Sequence, residues 1–322
     1  MIGLQELKQR IEVTATTIEC PLKDCTETVE RQRKSFKKEE RFKCPKHNIY
    51  ISPSTFEYAD YRDNLLWKGG DDEALLDKIS MAKRESRMGR DNSEDAVTWN
   101  VFRYLEKKNL IEGFISQLTS TTQEHAEVIY WSYSQKEGHA WTLLNKAREE
   151  FGEELKRSSE PDIIIKTDNG LFFIEAKLTS GNDTPSNEKQ IEEKIRNPKK
   201  YTTGGGNWFQ NVFLTSYKEI VRKQKYELLR FWLLGTWMAE QTGKEFYLIN
   251  LVTEEKEKDI EAVFQRHIKQ NAKLKFLRLT WESIYKHISN LNTTSEREMM
   301  IRFFKDKTIG YRNGILNKAF ST

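Results

Sequence analysis

Three charged side chains interrupt an otherwise apolar stretch, EPDIIIKTDNGLFFIEAKL, at residues 160–178. Asp162 precedes one apolar run, and Glu175 and Lys177 end the next. Both runs are strand-like, and the turn sequence TDNG (167–170) separates them. A type I′ tip is expected, formed by Asp168-Asn169 or by Asn169-Gly170. The first choice sets Asp162 opposite Glu175, and the second sets it opposite Lys177. Residues directly opposite, or two apart on one strand, share a face, so all three meet in either register unless a bulge intervenes. Two carboxylates this close repel, and a divalent cation between them removes the conflict. Oxygen ligands favour Mg²⁺ or Mn²⁺. Such an ion binds a phosphate oxygen and acidifies a coordinated water. Lys177 would orient that water or stabilise charge developing on the phosphorus. The bland alternative is a solvated strand end at which Lys177 neutralises Glu175.

A second constellation lies near the N-terminus. Cys20 and Cys25 (CPLKDC) form one short pair, and Cys44 and His47 (CPKH) form another. This is the spacing of a zinc-ribbon-like Cys₃His site, each pair a knuckle, with Zn²⁺ compensating for a small core. The alternative is three free thiols and a surface histidine. Between the knuckles lie Arg31, Arg33, Lys34, Lys37, Lys38, Arg41 and Lys43. They form either a solvated face or a phosphate-contacting one.

The elements that position these residues follow from pattern. Residues 1–70 read as the zinc-ribbon-like module, 71–92 as a connector with some helix, 93–290 as the main domain and 291–322 as a helical tail. Within 93–290, helical spacing begins at SEDAVTWNVFRYL. A strand is expected over 127–133, a helix over 141–157 and then the hairpin. The GGG at 204–206 reads as a loop. A long helix over 217–241, bent at Gly235, precedes strand 244–252, a helix, strand 273–280 and a final helix. That is an α/β fold with a central mixed sheet flanked by helices. Within the long helix, Arg230 needs a partner, which phosphate, a site acid or a structural salt bridge would supply. Lys189 and Gln190 follow the hairpin closely but are not assigned to the site.

Composition narrows the function classes. The net charge of +4 gives nucleic-acid binding no global support, so any such case rests on local patches. No secretory signal is visible, and LLRFWLLGTWMA (228–239) is too short to span a bilayer. Three cysteines, all before residue 45, point to a reducing cytoplasm rather than a disulfide framework. The triple glycine lacks the GK[ST] of a phosphate-binding loop, which argues against an ATPase.

The pattern Pro161-Asp162, apolar run, turn, apolar run, Glu175-Ala176-Lys177 resembles the signature of the PD-(D/E)XK nuclease superfamily. The resemblance covers about 90–290. It implies a restriction-endonuclease-like core in the order α-β-β-β-α-β, although the helix at 141–157 departs from that order. It also implies Mg²⁺- or Mn²⁺-dependent phosphodiester hydrolysis, with Asp162 and Glu175 as metal ligands and Lys177 as the catalytic lysine. Many members place another acid on the first core helix. Glu94 is the candidate, because it aligns with the apolar positions Val97, Thr98, Val101 and Leu105. The alternative for Glu94 is a first-turn acid serving the helix dipole. The implied function is a DNA endonuclease in restriction, defence or DNA processing, acting as a homodimer for double-strand cleavage. The competing reading is a non-catalytic nucleic-acid-binding or scaffold protein that retains the fold.

Overall fold

The structure, a computed structural model, describes residues 1–33, 35–82, 87–155, 160–183, 187–223 and 225–322. Lys34 of the basic run, 83–86 of the connector and the far end of the helix expected over 141–157 lie outside the described residues. In chain order, strands β1 (Thr17–Glu19), β2 (Thr28–Glu30), β3 (Ile49–Ile51) and β4 (Phe56–Tyr58) come first. Helices α1 (Asp71–Ala82), α2 (Glu94–Lys107) and α3 (Ile111–Thr119) follow. Then come β5 (Glu127–Tyr130), β6 (Tyr133–Ser134), β7 (His139–Ala140), α4 (Thr142–Glu150), β8 (Ile163–Lys166) and β9 (Gly170–Ala176). Helices α5 (Glu188–Arg196), α6 (Gly204–Val212), α7 (Tyr217–Arg222) and α8 (Tyr226–Thr242) lead to β10 (Glu245–Val252), α9 (Ile260–Gln265) and β11 (Leu274–Thr280). The chain continues through α10 (Trp281–Ser289), α11 (Ser295–Asp306), β12 (Thr308–Arg312) and β13 (Ile315–Lys318).

Two compact units form. One gathers Met1–Glu73, Ser86–Tyr104 and Thr280–Thr322, and the other gathers Ala74–Glu85 and Leu105–Leu279. The second unit is built on a seven-stranded sheet in the order β11-β10-β9-β8-β5-β6-β7. β9 and β10 run parallel, whereas β8 pairs antiparallel with both β9 and β5. The expected α/β architecture with a mixed, helix-flanked sheet is therefore the one that forms. α2, β5, β8, β9, α8 and β10 occur in the expected order, with α3 inserted before β5, β6, β7 and α4 before β8, and α5, α6 and α7 before α8.

The continuous apolar runs of β8 and β9 reflect a sheet covered on both faces. All of β9 is buried. Leu171 and Phe173 of β9, Ile164 of β8 and Phe246 and Leu248 of β10 share one cluster with Trp232, Leu233 and Trp237 of α8. Each such side chain contributes about 1.5–3 kcal/mol on burial. α8 is unbroken through Gly235. A Cβ on Gly235 would meet the Phe246 ring at 2.1 Å, so this glycine serves the close approach of helix to sheet. The interruption in the helix expected over 217–241 falls earlier, between Arg222 and Tyr226.

Three local expectations change. The strand expected over 127–133 turns back after Tyr130, because Trp131 and Ser132 both adopt positive φ (44° and 75°) and form the tip of a hairpin. The GGG segment is a left-handed turn, with Gly205, Gly206 and Asn207 at φ 59°, 70° and 66°, and it leads directly into helix. Residues 291–322, expected as a helical tail, are helical from Ser295 to Asp306 and then form the β12–β13 hairpin.

The first unit assembles that hairpin with the cysteine module. Tyr311 and Leu316 share a buried cluster with Leu7, Ile11, Ile18 and all three cysteines. Tyr311 Oη donates to Lys8 O at 2.9 Å, and Leu316 N donates to Gln9 O at 3.0 Å. Beneath them the fully buried Lys307 ammonium lies 3.4 Å from Asp91 and donates to Asn64 Oδ1 at 3.1 Å. Burial pushes the Lys307 pKa down, and Asp91 opposes that shift.

Candidate functional site

The β8–β9 register pairs Ile163 with Ile174 and Lys166 with Leu171. Asp168 and Asn169 therefore form the tip. One step beyond Ile163↔Ile174, Asp162 stands opposite Glu175. The tip is not type I′, since neither residue has a positive φ. Thr167 Oγ1 accepts the Gly170 N–H at 2.8 Å, which leaves the Thr167 carbonyl to accept from Lys244 Nζ at 2.7 Å. The even loop count nonetheless keeps the shared face intact.

Asp162 is held from two sides. Its Oδ1 accepts from the Trp131 indole Nε1 at 3.1 Å, and its Oδ2 accepts from Ala176 N at 2.8 Å. The left-handed turn at Trp131 and Ser132 is what swings that indole onto the carboxylate. The Trp131 N–H also donates to Asp162 O at 3.2 Å. Such a φ is strained for an aromatic residue and survives where surroundings over-determine it.

Glu175 is buried, with Oε1 bonded to Lys177 Nζ. Its Oε2 is buried and has no hydrogen-bond partner among the described residues. Burial pushes the Glu175 carboxyl well above the usual carboxylate range, Lys177 pulls it down, and Asp162 and Glu227 push it up again. Glu227 was not read from the sequence. It lies in the first turn of α8, with Oε2 3.8 Å from Lys177 Nζ. It looked like an ordinary first-turn acid there, and only tertiary structure sets it beside the hairpin. Asn250 was also missed. It pairs with Glu175 in the parallel register and donates to Glu257 Oε2 at 2.9 Å. Glu175 thus offers one buried oxygen with no partner among the described residues, while its other oxygen meets Lys177 and the Asp162 and Glu227 charges act on it.

Other sequence candidates fall elsewhere. Arg230 finds its partner in Glu153, with Nε and Nη2 each 2.6 Å from a carboxylate oxygen, and it also donates to Tyr201 Oη at 3.2 Å. This buried, bidentate pair is the structural salt bridge anticipated as one alternative. Gln190 caps α5 reciprocally with Asn187. Glu94 opens α2 in the first unit, and Val97, Thr98, Val101 and Leu105 on its stripe are all buried.

The cysteine cluster is assembled from two loops. Cys20 and Cys25 lie in the connection between β1 and β2. Cys44 and His47 lie in a tight loop before β3, closed by Cys44 N donating to Ile49 O at 3.0 Å. One ligand atom from each of the four residues falls within 4.8 Å of all the others. Cys25 Sγ is 3.7 Å from Cys44 Sγ, and His47 Nδ1 is 3.4 Å from Cys44 Sγ and 3.7 Å from Cys20 Sγ. Those separations match the edges of a tetrahedron with metal–ligand bonds of about 2.0–2.3 Å. Burial and the neighbouring thiols push the Cys20 pKa up. The cluster fits a zinc module.

The chain belongs to the family described as restriction endonuclease associating with ARP, whose model matches residues 24–307. The match takes in the hairpin, Glu94, Cys25, Cys44 and His47, and begins after Cys20. No curated protein and no solved structure matches the chain. Among the described residues, no helix is long and apolar enough to cross a membrane.

Proposed function

We propose that this protein is a divalent-metal-dependent nuclease that hydrolyses DNA phosphodiester bonds, an endonuclease of restriction, defence or DNA processing. The observation that carries the proposal is the buried Glu175, its Oε2 orphaned, opposite Asp162 and bonded to Lys177. Asp162 and Glu175 would hold Mg²⁺ or Mn²⁺. The ion would supply Lewis-acid stabilisation of a phosphate oxygen and an acidified water. Trp131 and the Ala176 N–H fix the direction of the Asp162 carboxylate. Lys177 would hold the attacking water or the developing negative charge with its ammonium, which Glu227 approaches to 3.8 Å. The Cys₃His cluster is proposed as a structural zinc site. Double-strand cleavage with one such centre per chain calls for a homodimer, which the mass in solution by light scattering would check.

The test is cleavage of DNA by purified protein with Mg²⁺ or Mn²⁺, beside Asp162→Ala and Lys177→Ala. Cleavage by the wild type and its loss in both variants is expected. No cleavage of any DNA or RNA offered, or equal cleavage by the variants, overturns the enzyme reading. The competing reading is a non-catalytic nucleic-acid-binding protein that retains the fold. That protein would bind DNA, yet its binding would not change with Mn²⁺ or with Glu175→Gln.

A further inference from the structure

The basic run of the cysteine module divides into two groups. Four of its cations are neutralised by acids. Lys37 lies 3.3 Å from Glu39, Lys38 2.8 Å from Glu57, Arg41 2.7 Å from Glu39 and Lys43 3.8 Å from Glu40. Arg31 and Arg33 are in no ion pair among the described residues. Their guanidiniums bond to backbone carbonyls instead. Arg31 Nη1 donates to Thr14 O at 2.8 Å, and Arg33 Nη2 donates to Ala15 O at 3.2 Å. A carbonyl orients a guanidinium without cancelling its charge, so these two arginines are aimed and still fully cationic. Arg31 Nε, moreover, is buried and has no acceptor among the described residues.

The segment that carries them is built rather than loose. Gln32, between the two arginines, is buried. Its Nε2 donates to Ile51 O at 2.9 Å, and its Oε1 accepts from Lys37 N at 2.7 Å. One side chain thus ties the exit of β2 to β3 and closes the following turn. Arg31 and Arg33 line an open concavity of about 730 Å³, whose wall includes Phe36, Ser54, Arg90 and Asn92. Arg31 also borders two adjoining concavities, so it stands where the three meet. The Arg90 guanidinium lies 4.9 Å over the Phe36 ring and shares its charge with Glu57 at 3.1 Å.

We infer that this face of the cysteine module binds the sugar–phosphate backbone of a nucleic acid, with Arg31 and Arg33 as its phosphate contacts. The choice of nucleic acid rests on the nuclease reading above. The choice of residues rests on the ion-pair pattern. Lys37, Lys38, Lys43 and Arg41 act as a structural charge lattice.

Binding of a labelled DNA duplex by the full zinc-loaded chain, with Ca²⁺ replacing Mg²⁺ so that nothing is cut, tests the inference through its salt dependence. Each phosphate contact adds about 0.9 to the slope of log K against log salt. Arg33→Ala should lower the slope by about that amount, and Arg31→Ala with Arg33→Ala by about twice as much. Lys38→Ala and Arg41→Ala should leave it nearly unchanged. Arg33 is exposed, so its variant, with zinc content verified, keeps the test independent of folding. An unchanged slope in Arg33→Ala and the double variant overturns the inference, as does an equal fall in Lys38→Ala. Because binding is read without cleavage, a protein that cuts DNA while its slope ignores both arginines overturns this inference and leaves the nuclease reading standing.

Discussion

The two candidate ion sites are built on opposite plans. The cysteine cluster takes its four ligand atoms from two loops within Cys20–His47, and three of its four residues are buried. All four positions of a tetrahedral ion would be protein-filled, which is how a structural site is closed. The acidic site draws Asp162, Glu175, Lys177 and Glu227 from a hairpin and a helix, and an ammonium sits among its acids. Its charges are held in conflict, with an oxygen left unbonded. On the proposed reading, one site would stabilise a fold with an ion, whereas the other would spend stability to keep its catalytic groups together.

The sharpest break of this comparison is Cys44→Ser. Loss of bound zinc and a cost to the first unit above about 4 kcal/mol are expected, read by metal analysis and thermal melting. Zinc-free wild-type protein with the same melting temperature would end the structural-zinc account. Next in size, Glu175→Gln should lower cleavage by about 10²–10³-fold while leaving zinc content unchanged. If zinc falls as well, the two sites are not separable in the way described. Smaller again, Trp131→Phe removes the indole donor from Asp162. A cleavage loss of about tenfold is expected from a misdirected carboxylate, about 1.4 kcal/mol, and Trp131→His should recover part of it.

The smallest effect separates the sites by pH. Glu175 has its folded pKa raised above its ordinary value of 4.5. In metal-free protein its contribution to stability is therefore complete below that value and is lost as pH rises toward the folded pKa. Melting temperature in the absence of Mg²⁺ should fall over that range, and Glu175→Gln should flatten the fall. Added Mg²⁺ should restore more stability at the upper end of the range. A pH profile identical in wild type and variant would show that Glu175 is not the strained group.

The same contrast explains what was legible beforehand. The cysteine cluster was readable because its ligands are close in sequence, so spacing carries the geometry. The hairpin was readable because an even two-residue tip preserves side-chain parity, even though Thr167 replaced the expected turn type with its own hydroxyl bond. Glu227 and Asn250 were not readable, since nothing local distinguishes a first-turn acid or a strand asparagine until β10 and α8 meet the hairpin. α3 was missed, and the turn at Trp131 and Ser132 was hidden because neither residue advertises a left-handed φ. Gly235 has a packing role that its sequence context does not show, since the Phe246 ring occupies the space a side chain would need.

The β12–β13 hairpin has a consequence for synthesis. Tyr311 bonds to Lys8 across 303 residues, and Lys307 lies buried against Asp91 and Asn64. A ribosome releases all four zinc-ligand candidates long before it makes the strands that seal their cluster. During that interval the module can capture its metal but cannot complete its core. Metal capture would then act as a placeholder, holding two loops in register until the far end of the chain arrives.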